Sequence, residues 1–343
     1  MNVQVMKIAM KPLEWGHFGE SRDPQKRRAA DRVRYGAGGA LLGQGINGVK
    51  NYVLVAKPGI VIGNLIATAG GLLLASKGRI DSGLLLATLL GVSLMVACGC
   101  VFNNCIDKDL DRKMVRTRNR VLPRGLMSSR VASVYASLLG MAGTALLFAE
   151  TNRLCVTIVL AGLAIYIGLY SLGLKRRSAY AALVGSLAGA APPLAGYCAV
   201  SQRFDLEALI LLAVFSLWQI PHAHAIAIYR RDDFAAAAIP ALPLKRGLPA
   251  ARKHIMVCIA GFMAAALMLT VGGYTGYRFL AVAAVLNLSW LTLAWRGDPA
   301  ADERRWAKRL FVFSILSITA LSVMMAVDFT VPVVPHLMLT AAP

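Results

Sequence analysis

Long apolar runs alternate with short charged segments along almost the whole chain. The runs fall at about 52–76, 83–102, 131–149, 154–174, 179–201, 206–228, 255–273, 279–294 and 310–327. Each lies near the roughly 20 residues a helix needs to cross a bilayer, although the eighth is short. The pattern predicts an all-α polytopic membrane protein, with nine transmembrane helices in one domain over residues 51–328. Residues 329–343 make a C-terminal tail. Residues 1–50 are polar, rich in glycine and charge, and lack an apolar core of signal-peptide length. They read as a disordered cytoplasmic tail, and Glu14, Glu20, Asp23 and Asp31 count against a transit peptide.

Composition agrees with this class. Hydrophobic residues make up 57% of the chain and charged residues only 16%, which no ordinary soluble domain matches. The net charge of +20 raises the question of nucleic acid, but its distribution answers otherwise. Nine Lys or Arg precede Tyr52, and the segments after runs two, four, six and eight hold eight, three, six and five more. The opposite side has only Lys77, Arg79, Arg153, Arg203 and Arg278. This asymmetry predicts a cytoplasmic N-terminus and an outward C-terminus, with the basic loops facing lipid headgroups rather than a nucleic acid. The six cysteines (98, 100, 105, 155, 198 and 258) lie in or at the ends of apolar runs and read as small buried residues.

Candidate chemistry appears where the second run ends, in NNCIDKDLDRK (103–113). If the helix continues, Asn103, Asp107 and Asp111 lie four apart on one face. Such oxygen donors suit Mg²⁺, which is held by carboxylates and phosphate oxygens. The sixth run ends in a second acidic pair, Asp232 and Asp233. Both runs are even-numbered, so both patches emerge on the same side and can converge on one cavity. Lys113, Arg116, Arg118 and Arg120 follow the first patch, and Lys245 and Arg246 follow the second. A metal with arginine close by stabilises a departing diphosphate. Pro192-Pro193 is expected to interrupt the fifth helix and free carbonyls to line a cavity.

The string NNCIDKDLDRKMVRTRNRVLPRG (103–125) resembles the first aspartate-rich motif of the UbiA superfamily of intramembrane prenyltransferases, in particular its heme-farnesylating branch. YSLGLKRRS (170–178), GSLAGAAPPLAGY (185–197), WQIPHAHAIAIYRRDDFAAAAIPALPLKRG (218–247) and Lys57-Pro58 add to the likeness. It implies a nine-helix bundle around a central cavity in a bacterial inner membrane. Farnesyl diphosphate would be the donor, heme b a substrate rather than a cofactor, and heme O the product. By matched position, Asn103, Asp107 and Asp111 would bind one Mg²⁺, and Asp232 and Asp233 a second, or else the diphosphate. Arg116, Arg120, Lys175 and Arg176 fit the diphosphate, with Tyr170 beside the substrate. His222, matching a Pro-His pair, would ligate the heme iron or sit near the porphyrin, whereas His224, His254, His17 and His336 have no assigned role. Contact with a downstream heme A synthase is left open. Ala238 departs from the pattern, standing where glycine or asparagine is usual. Two alternatives remain at this stage: a related enzyme with an aromatic-acid acceptor for quinone synthesis, and a non-enzymatic transporter or heme carrier.

Overall fold

A computed structural model describes residues 48–296 and 299–330. Most of the expected N-terminal tail and nearly all of the C-terminal tail therefore lie outside the described residues. Among these residues, nine helices are long and apolar enough to cross a membrane. They are α1 (Pro58–Ser76), α2 (Ser82–Ile106), α3 (Ser129–Glu150), α4 (Arg153–Leu174), α5 (Ala181–Ser201), α6 (Leu206–Tyr229), α7 (Gly247–Val271), α8 (Tyr277–Arg296) and α9 (Asp302–Val327). The eighth, short in the hydropathy pattern, spans 20 residues. The chain is an integral membrane protein with an all-α fold.

Local sequence sets the helix starts. The side chains of Asp81, Ser128, Asn152 and Asp205 accept hydrogen bonds from the free first-turn amides of α2, α3, α4 and α6 at 2.8–3.2 Å. Inside the bundle, small residues let backbones touch. A Cβ on Gly71 of α1 would stand 2.2 Å from the Pro193 carbonyl oxygen of α5, and one on Gly196 would stand 2.2 Å from that of Thr68. This contact corrects the expectation for Pro192-Pro193. The helix runs unbroken through both prolines, and both are buried. The segment is packed against α1 rather than opened toward a cavity. Beyond it, Trp290, Phe262, Phe215 and Phe279 form the fully buried aromatic heart of the α6–α8 side, with Phe262 edge-on to Trp290 at 6.0 Å.

Two further features place the site. The last ten residues of α4, Ile165–Leu174, are wound as a π-helix, a form that turns up at functional sites. Short helices at Lys108–Lys113 and Arg231–Ala236 follow α2 and α6. Leu110 and Met114 from the first region pack with Ala237, Ile239 and Phe234 from the second, so the two acidic segments share a small core.

Candidate active site

The acidic face forms because hydrogen bonding continues past the end of α2. The Asp107 amide bonds the Asn103 carbonyl at 2.9 Å, and the Asp111 amide bonds the Asp107 carbonyl at 2.7 Å. Asn103, Asp107 and Asp111 are therefore stacked as the four-residue spacing predicts, and all three are buried. Asn103 Nδ2 donates to Asp107 Oδ2 at 2.8 Å and to the Ser171 hydroxyl at 3.2 Å.

Each member of the face meets a cation. Lys57 Nζ donates to Asn103 Oδ1 at 2.8 Å. Lys175 pairs with Asp107. Arg120 donates from one nitrogen to both oxygens of Asp111, at 2.9 and 3.2 Å, and Thr117 braces the Asp111 carbonyl at 3.0 Å. The π-helix presents Lys175 here: its amide bonds the Tyr170 carbonyl five residues back at 2.9 Å. Burial opposes its charge, but the fields of Tyr170 and Asp107 and the bond to Asp107 outweigh that and raise its pKa. Burial, reinforced by the charges of Arg120 and Lys175, lowers Lys57 to about 8. One buried oxygen, Asp107 Oδ1, has no partner. An orphaned carboxylate oxygen among hard oxygen donors fits a divalent ion such as Mg²⁺.

The remaining expected residues divide. Asp233 Oδ1 accepts from the Val115 amide at 2.8 Å, which ties the second patch to the loop after the first, while Asp232 is exposed. The charges of Arg120, Arg230, Asp111 and Asp233 all reach Arg116. Arg176 grips Asp109 through two bonds at 2.7 and 2.8 Å and the Ile106 carbonyl at 2.7 Å, so it lies beside the stacked face rather than on it. That bond pulls the Asp109 pKa down. Among the described residues, no three His, Cys, Asp or Glu side chains stand close enough to share an ion.

Tyr170 and Lys175 form one wall of a mostly apolar cavity of about 150 Å³. His224, Phe234, Ile239 and Leu242 close the other side. His222 points elsewhere, bonding the Ser314 hydroxyl of α9 at 2.7 Å between Trp218 and Phe311. No sequence pattern marks His224 or His254, yet their rings bond at 2.9 Å and His224 reaches the cavity. Lys57 stands out in the sequence only as part of the Lys57-Pro58 pair. At the opposite end of the helices lies a second polar cluster: Tyr197 Oη meets Asp205 at 3.0 Å and Glu207 at 3.1 Å, and Lys77 stands 3.8 Å from Glu207.

Residues 64–316 match the UbiA prenyltransferase family. The chain belongs to that family. It is a prenyltransferase, and the transporter alternative falls with that membership. The chain is 58% identical over 283 residues, 82% of its own length and 96% of the relative, to a protoheme IX farnesyltransferase of Pseudomonas syringae pv. syringae strain B728a. A protoheme IX farnesyltransferase of Serratia proteamaculans strain 568 is 56% identical over 292 residues, 85% of this chain and 99% of the relative. Among solved structures, a UbiA homolog from Archaeoglobus fulgidus bound to GPP and Mg²⁺ superposes with TM-score 0.62 at 15% identity, covering 80% of this chain and 99% of the homolog. A digeranylgeranylglyceryl phosphate synthase gives TM-score 0.66 at 17% identity over 81% and 98%. These two likenesses carry the fold.

Proposed function

We propose that the chain moves the farnesyl group of farnesyl diphosphate onto a vinyl group of heme b, giving heme O and diphosphate, in a bacterial inner membrane with its N-terminus in the cytoplasm. The observation that carries the proposal is the buried Asn103–Asp107–Asp111 face with cations at its rim. The likeness to protoheme IX farnesyltransferases supports heme b as the acceptor.

Asn103, Asp107 and Asp111 would hold Mg²⁺, which when bound supplies charge neutralisation of the leaving diphosphate. Lys175 and Arg120, at the edge of that face, donate hydrogen bonds to the diphosphate oxygens as the bond from farnesyl C1 to oxygen breaks. Arg116, between the patches, adds a further positive charge. Asp233 holds the two acidic segments in register through Val115, and Arg176 pins the short helix through Asp109. The allylic cation bonds one vinyl carbon of the acceptor. Water adds at the other vinyl carbon and releases a proton, giving a hydroxyethylfarnesyl chain. No side-chain nucleophile takes part. The apolar wall near Tyr170, Phe234 and Ile239 limits water around the first cation. His224, which lines that cavity, is the imidazole offered to the porphyrin, whereas His222 is turned away toward Ser314 between Trp218 and Phe311.

The test is expression in a bacterial strain that makes no heme O, followed by heme extraction and mass analysis. Heme O in the extract is the expected result. Unmodified heme b together with a prenylated 4-hydroxybenzoate would assign the aromatic-acid acceptor instead.

A further inference from the structure

The transfer proposed above leaves Lys57 without a task. Its backbone is left-handed, with φ 56° and ψ 68°, directly ahead of the proline that opens α1. Residues before proline favour extended backbone, and L-residues avoid the left-handed region, so this conformation persists only because its surroundings enforce it. Its effect is to deliver an ammonium to Asn103 Oδ1 at 2.8 Å. Lys175 takes Asp107 from the end of α4, and Arg120 takes both oxygens of Asp111 from the loop after the short helix. Three cations from three separate segments thus occupy the three side chains suited to a divalent ion. Of the oxygens those side chains offer, Asp107 Oδ1 is buried and unpartnered.

We propose that Lys57, Lys175 and Arg120 hold the metal seat through these contacts and pass their hydrogen bonds to the diphosphate as it arrives, so that metal and diphosphate bind together. The proposal rests on the metal–diphosphate function set out above. Three cations against two carboxylates leave the face with one net positive charge. A divalent ion entering alone would displace three ammonium or guanidinium groups into a poorly solvated pocket with no anion to receive them. Diphosphate entering alone would meet two carboxylates beside those cations. Arriving together, each supplies the partner the other displaces, and the freed cations find phosphate oxygens in place of carboxylates. Lys57 is the most informative of the three. It occupies a neutral amide, so its removal opens an oxygen to the metal without leaving a carboxylate bare.

The experiment titrates Mn²⁺, read by its electron paramagnetic resonance signal, into the full-length protein in lipid nanodiscs, with and without saturating inorganic pyrophosphate. In the wild type, Mn²⁺ affinity should rise about tenfold or more with pyrophosphate present, and pyrophosphate affinity should rise by the same factor with Mn²⁺. Lys57→Met should bind Mn²⁺ alone several-fold more tightly and lose much of that coupling, while Lys57→Arg should keep it. Equal Mn²⁺ affinity with and without pyrophosphate in the wild type overturns the exchange and depends on no variant. So does full wild-type coupling in Lys57→Met. No Mn²⁺ binding under either condition would overturn the exchange and the metal–diphosphate function beneath it as well.

Discussion

Where α2 and α4 end, Asp107 and Asp111 each hold a cation of their own, drawn from a different chain segment. Where α5 ends and α6 begins, Asp205 and Glu207 share the hydroxyl of Tyr197, with Lys77 at 3.8 Å. A phenol has one proton to give, so three carboxylate oxygens compete for it, and Glu207 Oε1 stays buried without a partner. Asp205 is also spent on the backbone, capping α6 through Ala208. The first cluster carries cations that an incoming anion can claim. The second has none to spare, and its bonds tie loop to helix. Buried acids alone do not distinguish a reaction centre from a fastening; the supply of exchangeable counter-charge does.

The largest effect should come from the first cluster. Asp107→Asn and Asp111→Asn should each lower metal-dependent pyrophosphate release about 10³-fold, and a chelator should do the same to the wild type. Turnover surviving in both variants would remove the distinction. The second cluster should respond the other way. Glu207→Ala should cost about 1–3 kcal/mol of stability, read as a lowered melting temperature in detergent, while activity per folded molecule stays within about twofold. A collapse in turnover at unchanged melting temperature would make both ends catalytic. Next, Ala238 sits at φ 52°, just after the acidic helix that carries Asp233. Ala238→Gly should gain about 1 kcal/mol by relieving the left-handed strain, checked by thermal unfolding. The smallest effect belongs to the exposed Asp109–Arg176 pair. The folded Asp109 pKa is depressed, so the pair's stabilisation is present above the ordinary carboxylate range and is lost as pH falls through the folded value. Arg176→Ala should flatten that acid limb, with a change under about 1 kcal/mol at neutral pH.

Hydropathy made the nine helices legible because each must bury its backbone polar groups internally, whatever its neighbours. The stacked acids were legible because a period of four needs only a continuing helix. What depended on neighbours was hidden. The pairing of Lys57 with Asn103 joins residues 46 apart, and that of His224 with His254 joins residues 30 apart. What sets Asp233 apart from Asp232 is the Val115 amide, which lies in another loop. Pro192-Pro193 misled because a local rule about lost hydrogen bonds could not see Gly71 of α1 packed against the same turn. Ala238, by contrast, stands out in the sequence as an unusual residue type for its place, and its left-handed backbone shows the physical reason.

The π-helical end of α4 carries a consequence for how such a site evolves. A π-helix holds surplus residue per turn relative to an α-helix, so deleting one residue between Ile165 and Leu174 would let the coil return to the ordinary period. Everything after it would then keep nearly its present direction, whereas the same loss in the α-helical part of α4 would rotate it by about 100°. In that second case Lys175 would swing off Asp107 with no substitution made anywhere in the acidic motif. The π-helical turn is therefore a buffer against changes of chain length, and a single-codon loss elsewhere in the helix can disconnect a lysine from its carboxylate more completely than many point changes within the motif.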